Sequence, residues 1–260
     1  MYDFEFAKPS SIAEAAKLLG TDGAQALSGG QTLMPTMKQR LAQPSVLVSL
    51  TGIPEMKGVC SNADGLHIGG ATAHADVARE AAGYYPALAA LAGGIGDPAV
   101  RSRGTIGGSI ANNDPSACYP AAVLASGATV VTNKRKIAAD DYFQGMFTTA
   151  LDEGEFVTGV TFPIPEKAAY IKFNQPASRF ALTGVFVAKY KGGVRVAVTG
   201  ASNEGVFRWS EAEAALSKDF SAAAIAGLSA SADGLINDLH GTPAYRANLV
   251  KVLTGRAVTA

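Results

Sequence analysis

The 260-residue sequence predicts an α+β protein on three observations. A short β-loop-α-β module opens the chain. A middle region then alternates brief apolar runs with glycine pairs and helical patches, and a strong hairpin signal near the end is followed only by helix. At about 150 residues per domain, the length suits two domains or one large one.

Taken in order, Ser11 and Glu14 have capping-box spacing ahead of Ile12, Ala15, Ala16 and Leu19. Gly20 stops that pattern, so the first helix is placed at 11–19. Residues 24–27 read as a buried strand, broken by Ser28-Gly29-Gly30-Gln31-Thr32. Leu33, Met37 and Leu41 then repeat at helical spacing, with Pro35 tolerated in the first turn. Residues 46–50 close the module as a strand. From about residue 56, a strand is placed at 66–68 and helices near 75–81 and 86–92; the glycine-rich tract 93–109 is too long for a simple turn. A helix at 121–125 and strands at 129–131 and 155–162 follow, the last ended by Pro163 and Pro165. Strands at 182–189 and 194–199 flank Tyr190-Lys-Gly-Gly193 as a hairpin. Helices are placed at 210–216, 221–228 and 243–253, with Ser210 and Ser221 as N-caps. The expected units are 1–55, 56–165 and 166–260.

Lys and Arg total 22 against 22 Asp and Glu, a formal net charge of zero, so no basic footprint for nucleic acid or anionic lipid is present. Two cysteines, Cys60 and Cys118, and three histidines, His67, His74 and His240, are too few for a multi-cysteine zinc or iron–sulfur site. Hard redox chemistry therefore has to come from an organic cofactor. The N-terminus lacks the basic patch and apolar run of a signal peptide, and no apolar stretch nears the ~18 residues of a membrane span. A cytoplasmic protein with reduced thiols is the expectation.

Against three histidines stand 29 glycines. Residues 27–33, Leu-Ser-Gly-Gly-Gln-Thr-Leu, put glycines between a strand and a helix start. Unshielded N–H groups approach a phosphate closely there, although a tight turn needing positive φ explains the same residues. Residues 104–109, Gly-Thr-Ile-Gly-Gly-Ser, repeat the pattern with added hydroxyls. Two such tracts point to one extended anionic ligand, such as a diphosphate cofactor, held from both sides; two unrelated surface turns are the alternative. Other motifs fall away. Gly94-Ile-Gly96-Asp-Pro-Ala99 follows a helical run and contains Pro98, which does not suit a dinucleotide fingerprint. Residues 107–111 lack the last glycine of a nucleophile elbow, and no histidine follows until His240. His74 and Asp76 read as capping or solvent-facing groups, and Lys134-Arg-Lys136 as a solvated turn.

Together, the two glycine tracts resemble a known family. Residues 27–50 look like the first flavin-binding segment of the medium subunit of carbon monoxide dehydrogenase and its relatives, a group of molybdenum hydroxylases that includes xanthine dehydrogenase. Ile68-Gly-Gly-Ala-Thr-Ala-His-Ala-Asp-Val77 is similar to the next block. Gly104-Thr-Ile-Gly-Gly-Ser-Ile-Ala-Asn-Asn-Asp-Pro-Ser-Ala117 resembles the second FAD loop, and residues 148–155 a later block. The resemblance implies a two-part FAD-binding domain of the vanillyl-alcohol oxidase type. A C-terminal domain of three-stranded antiparallel sheet plus helical bundle would follow it.

Residue by residue, the resemblance implies that Ser28, Gly29, Gly30, Gln31 and Thr32 cradle the FAD diphosphate, with Leu27, Leu33 and Met34 lining its approach. Thr105, Ile106, Gly107, Gly108 and Ser109 would hold its other side and the ribityl region. Ile95 and Val157 would pack on FAD, and Lys172 would contact it. Cys118 stands at an FAD-contacting position where family members carry an aspartate, and Arg179 where another acidic residue is usual. The flavin would carry the redox step, with no catalytic side chain and no metal in this chain. Molybdopterin and two [2Fe-2S] clusters would reside in a large and a small partner subunit, in a dimer of heterotrimers that binds no nucleic acid. An assembly subunit that keeps the fold but has lost flavin binding is the alternative, and a free-standing flavin reductase is a third.

Overall fold

A computed structural model describes residues 1–260. The opening module is a parallel three-stranded sheet in the order β1-β3-β2, built from β1 (Glu5–Ala7), β2 (Ala24–Leu27) and β3 (Val46–Ser49). Helix α1 (Ile12–Leu19) joins β1 to β2, and α2 (Leu33–Lys38) joins β2 to β3. Ser11 Oγ accepts from Glu14 N at 3.2 Å, as expected of the cap. The Glu14 carboxylate, however, reaches back to Ser10 N at 2.7 Å, one residue earlier than a standard box. Strand β1 was not foreseen; its three residues carry no alternation to read. Helix α2 stops before Leu41, which is 75% exposed, because the chain turns through a left-handed Arg40 at φ 61°.

The middle of the chain forms a five-stranded antiparallel sheet in the order β4-β5-β10-β6-β7. Its strands are β4 (Val59–Asn62), β5 (Gly65–Gly69), β6 (Thr129–Thr132), β7 (Lys136–Ala138) and β10 (Val157–Phe162), with β8 (Phe143–Gly145) and β9 (Thr148–Thr149) pairing separately. Helices α3 (His74–Glu80), α4 (Pro86–Gly93), α5 (Pro98–Arg103), α6 (Ile106–Asn112), α7 (Tyr119–Ala125) and α8 (Ala139–Tyr142) accompany it. The tract 93–109 is thus two short helices and their connections.

The last sheet has four strands, where the resemblance implied three: β11 (Lys167–Asn174), β12 (Ala181–Tyr190), β13 (Gly193–Ser202) and β14 (Gly205–Arg208). The extra strand is four residues long and pairs with β13 across a register shift, so no sequence pattern announces it. The hairpin at Tyr190–Gly193 forms as expected. Helices α9 (Ser210–Lys218) and α10 (Pro243–Thr259) cover this sheet, but the expected helix at 221–228 is only a single 3-10 turn at Ala222–Ile225. Ser221 caps that turn; Ser210 is not a cap, since Trp209 occupies that position and offers no side-chain bond.

Both faces of the last sheet are buried, which explains the unbroken apolar run of β12. Val185, Val187, Val196 and Val198 pack with Trp209, Leu216, Leu249 and Leu253. On the other face, Phe186, Ala188 and Ala197 join the main core, where the Tyr85 and Phe186 rings meet edge-on at 6.1 Å. A smaller core of Ala15, Leu19, Val48, Leu50, Ile53, Met56, Ala71 and Phe156 seats the opening module on the middle region. The two cysteines are free, Cys60 exposed and Cys118 buried, and no helix is long and apolar enough to cross a membrane.

Candidate functional site

Strand β2 ends at Leu27, whose carbonyl accepts from Leu50 N at 2.9 Å. The chain then loops through Ser28–Thr32 into α2, with Gly30 at φ 69°. None of the main-chain N–H groups from Ser28 to Leu33 finds an acceptor within the protein. Consecutive unpaired donors of this kind are costly without a partner, and together they form an anion-binding concavity.

The second glycine loop lies directly against the first. Ser28 Oγ and Thr105 Oγ1 are 2.7 Å apart, sharing one hydrogen bond between residues 77 positions apart in sequence. A Cβ on Gly29 would overlap the Arg103 carbonyl oxygen and lie 2.6 Å from Gly104 Cα; one on Gly107 would lie 2.6 Å from Gly70 O. These glycines answer a close approach of backbones, and only Gly30 answers a positive φ. In this second loop most donors are already used: Ile106 N binds Thr72 O, Gly107 N binds Gly70 O and Gly108 N binds the Thr105 hydroxyl. Of its main-chain N–H groups only that of Thr105 has no acceptor, and the Ser109 hydroxyl is without a partner.

Both loops line one cleft of about 590 Å³, within the usual range for a small-molecule site. Of the residues the sequence singled out, Leu27, Ser28, Gly29, Gly30, Gln31, Thr32 and Leu33 line it, as do Thr105, Gly107, Gly108, Ser109, Ile95, Cys118, Val157 and Lys172. Two do not. Ile106 is fully buried in the main core, and Met34 turns back so that its Cγ lies 3.0 Å from where a Gly30 Cβ would stand. Helical side chains lean toward the N-terminus, so Met34 packs behind Gly30 instead of into the cleft, while Ile106 lies on the helix face turned to the core.

The cleft also takes residues that local patterns missed. The loop 177–180 closes one side, with Arg179 in the left-handed region at φ 60°. Lys172 Nζ donates to Arg179 O and to Gly94 O, each at 2.8 Å, and lies 3.5 Å from Cys118 Sγ, so it ties three segments together. His74 is 5% exposed, which corrects the solvent-facing reading. Its ring sits under Gly104 and 5.2 Å from the Tyr119 ring, and its Nδ1 has no partner. Burial, helped by the charge of Arg101, pulls its pKa down to about 4, so it is neutral at pH 7. Its place in the block 68–77 was the only sequence signal for it.

Lys134-Arg-Lys136 is the exposed turn between β6 and β7 that was expected, with Arg135 also binding the Glu155 carboxylate through Nη2 at 3.0 Å. The cleft as a whole offers unpaired N–H groups, hydroxyls and cations beside walls of Leu27, Leu33, Leu50, Ile95, Phe156 and Val157. That surface suits an extended ligand with an anionic centre and a flat apolar part, and it requires no proton-transferring dyad.

Comparison with known proteins agrees with this geometry. Residues 2–165 match the family model described as the FAD binding domain in molybdopterin dehydrogenase. The nicotine 6-hydroxylase medium subunit of Paenarthrobacter nicotinovorans is 34% identical, covering 97% of this chain and 95% of that one. The carbon monoxide dehydrogenase medium chain of Hydrogenophaga pseudoflava is 33% identical over 99% of this chain and 96% of its own. Among solved structures, the reconstituted CO dehydrogenase from Oligotropha carboxidovorans superposes with a TM-score of 0.88 at 29% identity, covering 99% of this chain and 97% of that chain. With the match spanning every segment that builds the paired glycine loops, the chain belongs to the FAD-binding domain family of the molybdopterin dehydrogenases and is an oxidoreductase subunit.

Proposed function

We propose that the chain is the FAD-carrying electron-transfer subunit of a heteromeric molybdenum hydroxylase. It takes electrons from [2Fe-2S] clusters in a small partner subunit and passes them to an external acceptor, while a large partner subunit carries the molybdenum cofactor. A cytoplasmic dimer of heterotrimers is the assembly this reading entails. The observation that carries it is the run of unpaired N–H groups at Ser28–Leu33, packed against a second glycine loop.

In this reading Ser28, Gly29, Gly30, Gln31 and Thr32 bind the diphosphate through main-chain N–H groups. Thr105 and Ser109 add hydroxyls; Gly107 and Gly108 let the loops approach, and Ile106 anchors the second loop from the core. Leu27 and Leu33 form an apolar wall, with Met34 supporting it from behind. Ile95 and Val157 face the apolar part of the cofactor, and Lys172 and Cys118 its polar edge. Bound FAD supplies the electron chemistry, and the protein supplies orientation and local charge.

Purified chain is expected to be yellow and to release FAD on denaturation. A colourless chain that takes up no added FAD overturns the reading. If that chain still co-purifies with its partners, it is the assembly subunit instead, a reading favoured by a cleft lysine that meets a thiol and no carboxylate.

A further inference from the structure

Lys172 enters the cleft from β11 with its ammonium held only by neutral groups: two carbonyl oxygens, of Gly94 and Arg179, and the Cys118 thiol at 3.5 Å. No carboxylate oxygen lies within 4.0 Å of it. The two carboxylates of the cleft are engaged elsewhere: Asp97 accepts from Val100 N at 2.9 Å, and Asp114 from Ser116 N at 2.8 Å. Cys118 is 5% exposed and Lys172 is half-buried, so solvent screens the contact only in part.

We propose that Cys118 sets the reduction potential of the bound flavin through Lys172, by presenting a thiol that leaves the ammonium's charge uncompensated. The inference rests on the FAD reading. An oxidised flavin ring is neutral. Two electrons and one proton, delivered by the partner's clusters and by solvent, leave it with one negative charge. A nearby cation stabilises that product more than the starting form, which raises the potential. A carboxylate at position 118 would pair with Lys172 and cancel the effect. Cys118 acts here as a positioning residue for charge, with no covalent step of its own.

In the test, the full chain is loaded with FAD and equilibrated, under dithionite, with a two-electron dye of known potential. The ratio of reduced to oxidised flavin is then read from the visible spectrum at fixed dye poise. Cys118→Asp and Lys172→Met are each expected to lower that ratio about tenfold, equivalent to about 30 mV for a two-electron couple. Cys118→Ser and Lys172→Arg preserve the charge pattern and are expected to hold it. An unchanged ratio in Cys118→Asp overturns the inference, as does a fall in Cys118→Ser as large as that in Cys118→Asp, which would assign the effect to packing. If Cys118→Asp does not fold or retain FAD, Lys172→Met against Lys172→Arg decides, and equal ratios overturn it. A wild-type chain that binds no FAD overturns the functional reading itself and this inference with it.

Discussion

Glu155 has no side-chain exposure, and four donors converge on it: Thr132 Oγ1 at 2.6 Å, Arg135 Nε at 3.1 Å and Nη2 at 3.0 Å, and Asp152 N at 2.9 Å. Burial alone would raise its pKa, but these partners outweigh burial and hold it at about 2, below the ordinary 4.5. A carboxyl whose pKa is depressed by folding stabilises the native state above its unfolded pKa, and that support is lost as pH falls from 4.5 through 2. Glu155→Gln is expected to cost about 2–3 kcal/mol in urea unfolding at pH 7, with the gap to wild type closing across that acid window. His74 acts in a higher window. Its neutral form is native and the unfolded chain protonates first, so stability falls between pH 6.5 and 4. In His74→Phe the midpoint of thermal unfolding should lose its pH slope there. An unchanged slope would show that His74 is not the group that titrates. Neither residue was legible as structural in the sequence, because burial of a lone polar side chain depends on elements far away in the chain.

At the scale of elements, the site depends on two loops meeting. Gly29→Ala places a methyl against the Arg103 carbonyl and pushes the β2–α2 loop off the α5–α6 connection. FAD affinity is expected to fall by roughly tenfold or more, measured by flavin retained through gel filtration. Gly227→Ala, with open space around it, should leave affinity unchanged. Helix α10 is tied to the sheet by Arg246, which is 2% exposed. Its Nη1 donates to Leu182 O and Gly200 O, and its Nη2 to both Asp238 oxygens. Arg246→Met takes the arginine donor from the Gly200 carbonyl, leaves Leu182 O with Thr183 Oγ1 alone and strips Asp238 of its ion pair, a loss of about 3 kcal/mol in urea unfolding. Helix α1 and the β12–β13 hairpin were legible because cap, periodicity and turn chemistry are local. Strand β11 was not: Lys167, Lys172 and Asn174 interrupt its alternation, and pairing with β12 along its length makes it a strand.

For the molecule as a whole, the cleft draws on the opening module, the middle region and the loop before β12, so a ligand bound there stabilises all three together. Free FAD at 100 times its Kd is expected to add about 2.7 kcal/mol to unfolding, seen as a rise in thermal midpoint that the tenfold weaker Gly29→Ala cuts to about half. Equal midpoints with and without FAD would argue against this linkage. By itself, the sequence determined the α+β class, the first helix, the hairpin, and the two glycine tracts as places where a backbone needs room. It also limited the chemistry: with three histidines and two cysteines, the chain had to borrow its redox power. Only the tertiary structure decided that the tracts touch each other and that one loop presents a run of free N–H groups while the other has used all but that of Thr105. It also decided that Lys172 faces a thiol. The reason is physical: turn and helix signals come from neighbours in sequence. Which donor stays unpaired, and which charge stays uncompensated, depends on groups brought together from opposite ends of the chain.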